Sequence, residues 1–103
     1  MTINSDDRYV EKYAYEEWDL SIDWTGKVPS GITSLATASV DAIDVATGVA
    51  DATVVGGSSS ITNLLQTHKI QAGTPGKTYL LRAKVTGAGF KRQTNVILKI
   101  LEG

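Results

Sequence analysis

The segment Gly73-Thr74-Pro75-Gly76-Lys77-Thr78-Tyr79, followed by the alternating run Leu80 to Val85, constrains this chain more than any other feature. Glycines around a proline set a tight corner, and the β-branched and aromatic residues after it read as a half-buried strand. Tyr79 stands near the start of that strand, where its hydroxyl can reach back across the corner to the backbone. A corner of this kind carries the chain from one β-layer to another and pins both. Gly76 and Tyr79 are therefore structural candidates.

The largest apolar contribution comes from the first third of the chain. Trp18, Leu20, Ile22 and Trp24 share one face of a strand, and Asp19, Ser21, Asp23 and Thr25 share the other. A buried aromatic ring removes about 150–250 Å² from water, so Trp18 and Trp24 are expected to anchor the core. The alternation is too regular for rings offered to a ligand. From Thr33 to Asp41, Ala36, Ala38 and Val40 face inward and leave room for the indoles. The apolar phase then slips to Ile43 and Val45, as a bulge or a strand end at Asp44 would produce.

Gly56-Gly57-Ser58-Ser59-Ser60 reads as a flexible loop. Beyond it, Leu64, Gln66, His68 and Ile70 share one side of a further strand. After the corner, Tyr79, Leu81, Ala83 and Val85 face in, Gly87-Ala88-Gly89 closes a hairpin, and Val96, Leu98 and Ile100 face in on the return. No segment shows a helical stripe, and there is no internal repeat. Short strands with frequent turns predict an all-β fold, an immunoglobulin-like Greek-key β-sandwich of about seven strands over residues 18–103. Residues 1–17 are expected to form a separate acidic N-terminal arm, extended or partly disordered.

With 103 residues, 42% of them apolar, the chain can build one core and not two. It has no cysteine, which excludes a disulfide framework and a thiolate metal site. No apolar run approaches the ~20 residues that span a bilayer, and the opening residues lack the plan of a secretion signal, so a soluble protein made in the cytoplasm is expected. The net charge of −1 conceals an asymmetry. Residues 1–24 carry seven acids against two bases, about −5, whereas residues 25–103 carry four acids against eight bases, about +4. Attraction between them could hold the arm on its own body or on that of a neighbouring copy.

Little in the sequence points to catalysis. Gly76-Lys77-Thr78 resembles the end of a phosphate-binding loop, but Gln71 stands where the loop needs its first glycine, and a strand follows in place of a helix. His68 is the only histidine, with no nucleophile and carboxylate at a recognisable spacing. Asp41, Asp44 and Asp51 could meet at one end of a sandwich but do not form a calcium-loop pattern. The expectation is a non-enzyme without cofactor or metal. The candidate protein-interaction residues are instead the cations of the last hairpin, Arg82, Lys84, Lys91 and Arg92, together with Tyr9 and Tyr13 of the arm. Lys77 and Lys99 extend the basic region, but Phe90 is the only ring near it and the pI of about 5.7 speaks against a nucleic-acid partner.

Residues 18–101 resemble a family of immunoglobulin-like proteins of similar length encoded among tailed-bacteriophage structural genes and their prophage copies, of the fibre-tail adaptor or tail accessory type. The resemblance lies in the order of features: Asp23-Trp24 closing the first strand, the Gly-Thr-Pro-Gly-Lys-Thr-Tyr corner, the basic hairpin, and the final strand Asn95 to Ile100. The chain departs from the family where Thr25 leads straight into Gly26-Lys27-Val28-Pro29, in place of a longer loop with another tryptophan. The resemblance implies a virion structural or assembly protein of the tail, acting through contacts with other phage structural proteins or further copies of itself. It implies no nucleic acid, membrane or small-molecule ligand, and a location in the bacterial cytoplasm during assembly and then in the virion. The corner also suits fibronectin type III domains, which keeps a carbohydrate or cell-surface binding module in view. Such a module would use Tyr9, Tyr13 and Tyr15 as an aromatic platform.

Overall fold

The computed structural model describes residues 2–4 and 9–102, with side chains from Tyr9 onward. Met1, Gly103 and residues 5–8, which carry Asp6, Asp7 and Arg8, lie outside the described residues, as does that part of the arm expectation.

Two sheets of four strands face each other. The first has the order β1 (Thr2–Asn4), β3 (Trp18–Asp23), β6 (Leu65–Ile70), β5 (Val55–Thr62). The second has the order β2 (Tyr9–Tyr13), β8 (Phe90–Leu101), β7 (Thr78–Gly87), β4 (Thr37–Asp44). From β3 onward the chain crosses between sheets from β3 to β4, from β4 to β5 and from β6 to β7, which gives the Greek-key division of an immunoglobulin-like sandwich. The eighth strand is β2, laid parallel to β8 with Tyr9 opposite Ile97 and Tyr13 opposite Leu101.

Period-two burial builds the core. Leu20 and Ile22 of the first sheet and Trp24, directly after β3, cluster with Tyr79, Leu81, Ala83, Val85, Val96, Leu98 and Ile100 of the second, all fully buried. Trp18, at the start of its strand, is part-buried against this cluster. At the corner, the Thr74 amide donates to the Tyr79 hydroxyl at 3.2 Å, and the Gly76 amide donates to the Ile100 carbonyl at 3.0 Å. The corner is thereby tied both to the strand it starts and to the last strand of the sheet.

Three segments differ from the sequence expectation, each for a physical reason. The alternation in β4 does not slip: Val40, Ala42 and Asp44 all face inward, while Val45 is 54% exposed. A carboxylate occupies an inward position there because Lys77 reaches it at 2.6 Å, and that polar residue in an apolar series imitates a change of phase. Gly56–Ser60 is not a loop but part of β5, an edge strand whose pairing with β6 is interrupted between Gly56 and Ser60. Backbone pairing needs no side chains, so a linker-like composition can still form a strand. The interruption also spoils the edge as a template for a further strand.

The third difference concerns the arm. Residues 9–13 are extended but belong to the sandwich as β2, with Val10 and Lys12 pointing into it. Lys12 is 1% exposed, and its ammonium donates to the carbonyls of Tyr13 at 2.8 Å and Ala72 at 2.5 Å. Burial lowers its pKa, against the opposing pull of Glu16 and Glu17. An inward lysine hid the alternation of Tyr9, Glu11 and Tyr13 with Val10 and Lys12. Deleting the first fifteen residues would therefore remove two strands, β1 and β2, not a tether.

The molecule measures 45 × 24 × 23 Å. One end gathers the β3–β4 loop, the β5–β6 turn at Asn63 and the β7–β8 turn at Ala88-Gly89, tied by Leu35 N–H to Asn63 O (3.0 Å) and Ala36 N–H to Thr86 O (2.7 Å). The opposite end carries the turn at Ala14-Tyr15, the β4–β5 connection and the corner.

Candidate functional site

Strand register places an apolar row on the outer face of the second sheet. Tyr9 pairs with Ile97, Ile97 with Leu80, and Leu80 with Ile43, so four side chains lie side by side across all four strands. Tyr9 is 55% exposed and the other members of the row are half-buried. Two residues along β2, Tyr13 is 48% exposed and sits opposite Leu101. Glu11 lies between the two tyrosines and accepts a hydrogen bond from the Tyr9 hydroxyl at 3.1 Å. A contiguous apolar row crossing a whole sheet differs from the single exposed hydrophobes that any surface carries.

The cations named from sequence separate into groups. Arg82 grips Asp41 with two hydrogen bonds, Nε to Oδ1 at 2.9 Å and Nη2 to Oδ2 at 2.7 Å, which holds the Asp41 carboxyl below its ordinary range. Lys77 is committed to Asp44, and Lys99 donates to the Gly76 carbonyl at 3.1 Å. Among the described residues, Lys84, Lys91 and Arg92 have no ion-pair partner. Lys84 sits opposite Gln93, and Lys91 opposite Thr86, both on the outer face. Arg92 sits opposite Val85 and so projects on the other side of the hairpin. The basic stripe is thus shorter than the sequence suggests, and it straddles the hairpin tip.

A polar chain that sequence reading missed runs through the interior. Trp24 Nε1 donates to Gln66 Oε1 at 3.1 Å, and Gln66 Nε2 donates to the Ser39 carbonyl at 3.0 Å and to Ser59 Oγ at 3.2 Å. Ser59 Oγ lies 2.7 Å from His68 Nδ1, while His68 Nε2 is buried without a hydrogen-bond partner among the described residues. Gln66 thereby joins the first sheet to β4, the last strand of the second. The Ser59–His68 pair has the reach of a nucleophile and base, but burial lowers the His68 pKa and no carboxylate among the described residues orients its far nitrogen. An inward Gln and His at alternate positions of β6 was the only signal of this network in the sequence.

Because the folded state disfavours the imidazolium, the unfolded chain takes up the proton first as pH falls through the ordinary histidine value of 6.5. Stability is therefore complete above that pH and declines below it. Asp44 and Asp51, held low by Lys77 and by the Thr53 hydroxyl respectively, extend the loss in the same direction below 3.8. The urea midpoint is expected to fall between about pH 8 and about pH 5, and the His68→Gln substitution should flatten that step. A midpoint constant over this window in the unsubstituted protein contradicts the burial of a neutral imidazole.

The remaining candidates do not assemble into a reactive site. Asp41 is on the outer face with Arg82, away from Asp44 and Asp51 at the corner end. Among the described residues no group of three or more acidic or histidine side chains could hold a metal ion, and no helix is long and apolar enough to cross a membrane. The Gly-Lys-Thr segment forms the corner and enters a strand, so no helix amides face a phosphate there. Comparison with protein-family models, curated proteins and solved structures finds no match.

Proposed function

We propose that this chain is a non-enzymatic structural or assembly protein of a tailed-phage or prophage virion, acting in the tail through protein–protein contacts. The observation that carries the reading is the Tyr9–Ile97–Leu80–Ile43 row, an apolar strip across the sheet face, extended by the Tyr13–Leu101 pair, that a flat protein partner can cover. The sequence resemblance over residues 18–101 supplies the tail setting. The titratable groups support it from the other side, since His68 and Lys12 are buried and Asp41 and Asp44 are committed to ion pairs. The protein would be made in the bacterial cytoplasm and then built into the virion.

The test is calorimetric titration of the full chain with the products of neighbouring tail genes. Tyr9→Ser is expected to weaken the partner's binding by about tenfold or more, while the urea midpoint stays near that of the parent protein. If no tail protein binds, or if Tyr9→Ser binds as tightly as the parent, the reading is wrong.

A second reading rests on Tyr9 and Tyr13, which share one face of β2 with both rings open to solvent. That pair is the aromatic platform a carbohydrate or cell-surface binding module requires. Glycan-array binding that disappears in Tyr13→Ser would put this reading in place of the first.

A further inference from the structure

The two ends of the long axis differ in charge and shape. At the hairpin end, Thr86, Gly87, Gly89, Phe90 and Lys91 line a shallow concavity. Lys91 is part of its lining and Lys84 lies two positions from Thr86 on the same outer face, so two cations without an ion-pair partner among the described residues stand on one side of the hollow, while Arg92 projects on the other side of the hairpin. At the opposite end, Tyr15 projects from the β2–β3 turn with 98% of its surface exposed. Glu16 and Glu17 follow it, and among the described residues the ion pair Glu17 makes is a long contact of 3.9 Å to Lys69. The turn is held rigid: the Glu16 amide donates to the Tyr13 carbonyl at 3.0 Å, and the Glu16 side chain accepts from the Tyr13 amide at 2.6 Å.

Register fixes the separation of these features. The turn follows Tyr13, which pairs with Leu101 at one end of β8, while the hollow lies beside Phe90 at the other. At ~3.3 Å per residue the strand sets them roughly 36 Å apart, nearly the whole length of the molecule.

We propose that the hairpin end of one copy receives the Tyr15-Glu16-Glu17 turn of a second copy, joining the chains head to tail. A second copy is the fitting occupant because both halves of the complementarity, Lys84 and Lys91 beside a hollow and acids beside a projecting ring, are present on this one chain at opposite poles. Aromatic rings on a rigid turn are efficient anchors, and the flanking charges set orientation and salt dependence. The contact is heterologous, so it leaves a hollow unfilled at one terminus and a turn at the other, and it propagates unless it closes into a ring. A cross-section of 24 × 23 Å restricts the buried area to the small-interface class, so each contact is weak and dissociable. The inference deepens the assembly reading above and rests on it.

Sedimentation velocity on the full chain over a concentration series, at about 50 mM and about 500 mM salt, tests it. The average mass should rise with concentration at low salt and fall back at high salt. The double variant Lys84→Glu/Lys91→Glu and the variant Glu17→Lys should each weaken self-association by about tenfold or more, and their mixture should recover association, because each retains one parental end. Circular dichroism and urea midpoints establish that the variants are folded. A chain that stays monomeric up to about millimolar concentration at low salt overturns the inference. So does association that survives both sets of substitutions, or an oligonucleotide that binds the hairpin cations where no self-association occurs. Binding of a tail protein by a strictly monomeric chain would sink this inference and leave the assembly reading standing, whereas self-association without any tail partner would do the reverse.

Discussion

Trp24→Ala is expected to lose about 3–5 kcal/mol of stability, a large share of the roughly 5–15 kcal/mol that holds a domain of this size together. Two effects combine. The indole is 2% exposed and lies in the main core cluster, so truncation leaves a cavity lined by residues that cannot collapse into it. It also removes the donor to Gln66 Oε1, and Gln66 is fully buried, so an acceptor is left without a partner in the interior. The disturbance passes along the chain of hydrogen bonds through Ser59 to His68 and to the Ser39 carbonyl of β4. Trp24→Phe separates the two effects, since it keeps most of the apolar volume but still orphans Gln66, at about 1–3 kcal/mol. Trp18→Ala is the internal comparison and should cost less, because that ring is only part-buried. Urea denaturation of the three variants measures all of this. A loss below about 1 kcal/mol for Trp24→Ala would mean that the two sheets do not close on the indole.

Gly73→Ala should be the next most damaging substitution, at about 2–4 kcal/mol, and clearly worse than Gly76→Ala. Both glycines sit in the left-handed region, at φ +97° and φ +84°, where any side chain costs about 1–2 kcal/mol. What separates them is what a new methyl group would meet. At Gly73 it would lie 2.7 Å from Ile100 Cδ1 and 2.9 Å from Cγ1 of a side chain that is fully buried and has nowhere to go. At Gly76 it would lie 2.6 Å from Glu102 Oε1, the tip of an exposed side chain that can swing into solvent. Thermal melts of the two variants decide the order, and a Gly76→Ala protein that melts below Gly73→Ala would show that the corner is held differently. Sequence alone singled out Gly76 as the residue the corner depends on. The packing of Ile100 against the corner shifts the greater weight to Gly73.

The candidate surface was legible in its residue types but not in its arrangement. Arg82, Lys84, Lys91 and Arg92 look equivalent along the chain, yet Arg82 is neutralised by Asp41 and Arg92 projects away from Lys84 and Lys91. Along the chain Tyr9 and Tyr13 read as part of an arm, yet they form the outer face of a paired strand. The missing information in each case is the identity of a neighbour far away in sequence. Arg82 and Asp41 are separated by 41 positions, and Trp24 and Gln66 by 42.

By itself the sequence determined the fold class, the corner at Tyr79 and the inward face that starts at Trp18, because turn chemistry and period-two alternation are local properties that survive without knowledge of partners. The tertiary structure alone decided that β2 belongs to the sandwich, that a glycine- and serine-rich stretch is an edge strand, and that four apolar side chains line up across one sheet. Those outcomes rest on hydrogen bonds between distant backbones. Backbone groups are the same in every residue, so no composition records which of them will pair.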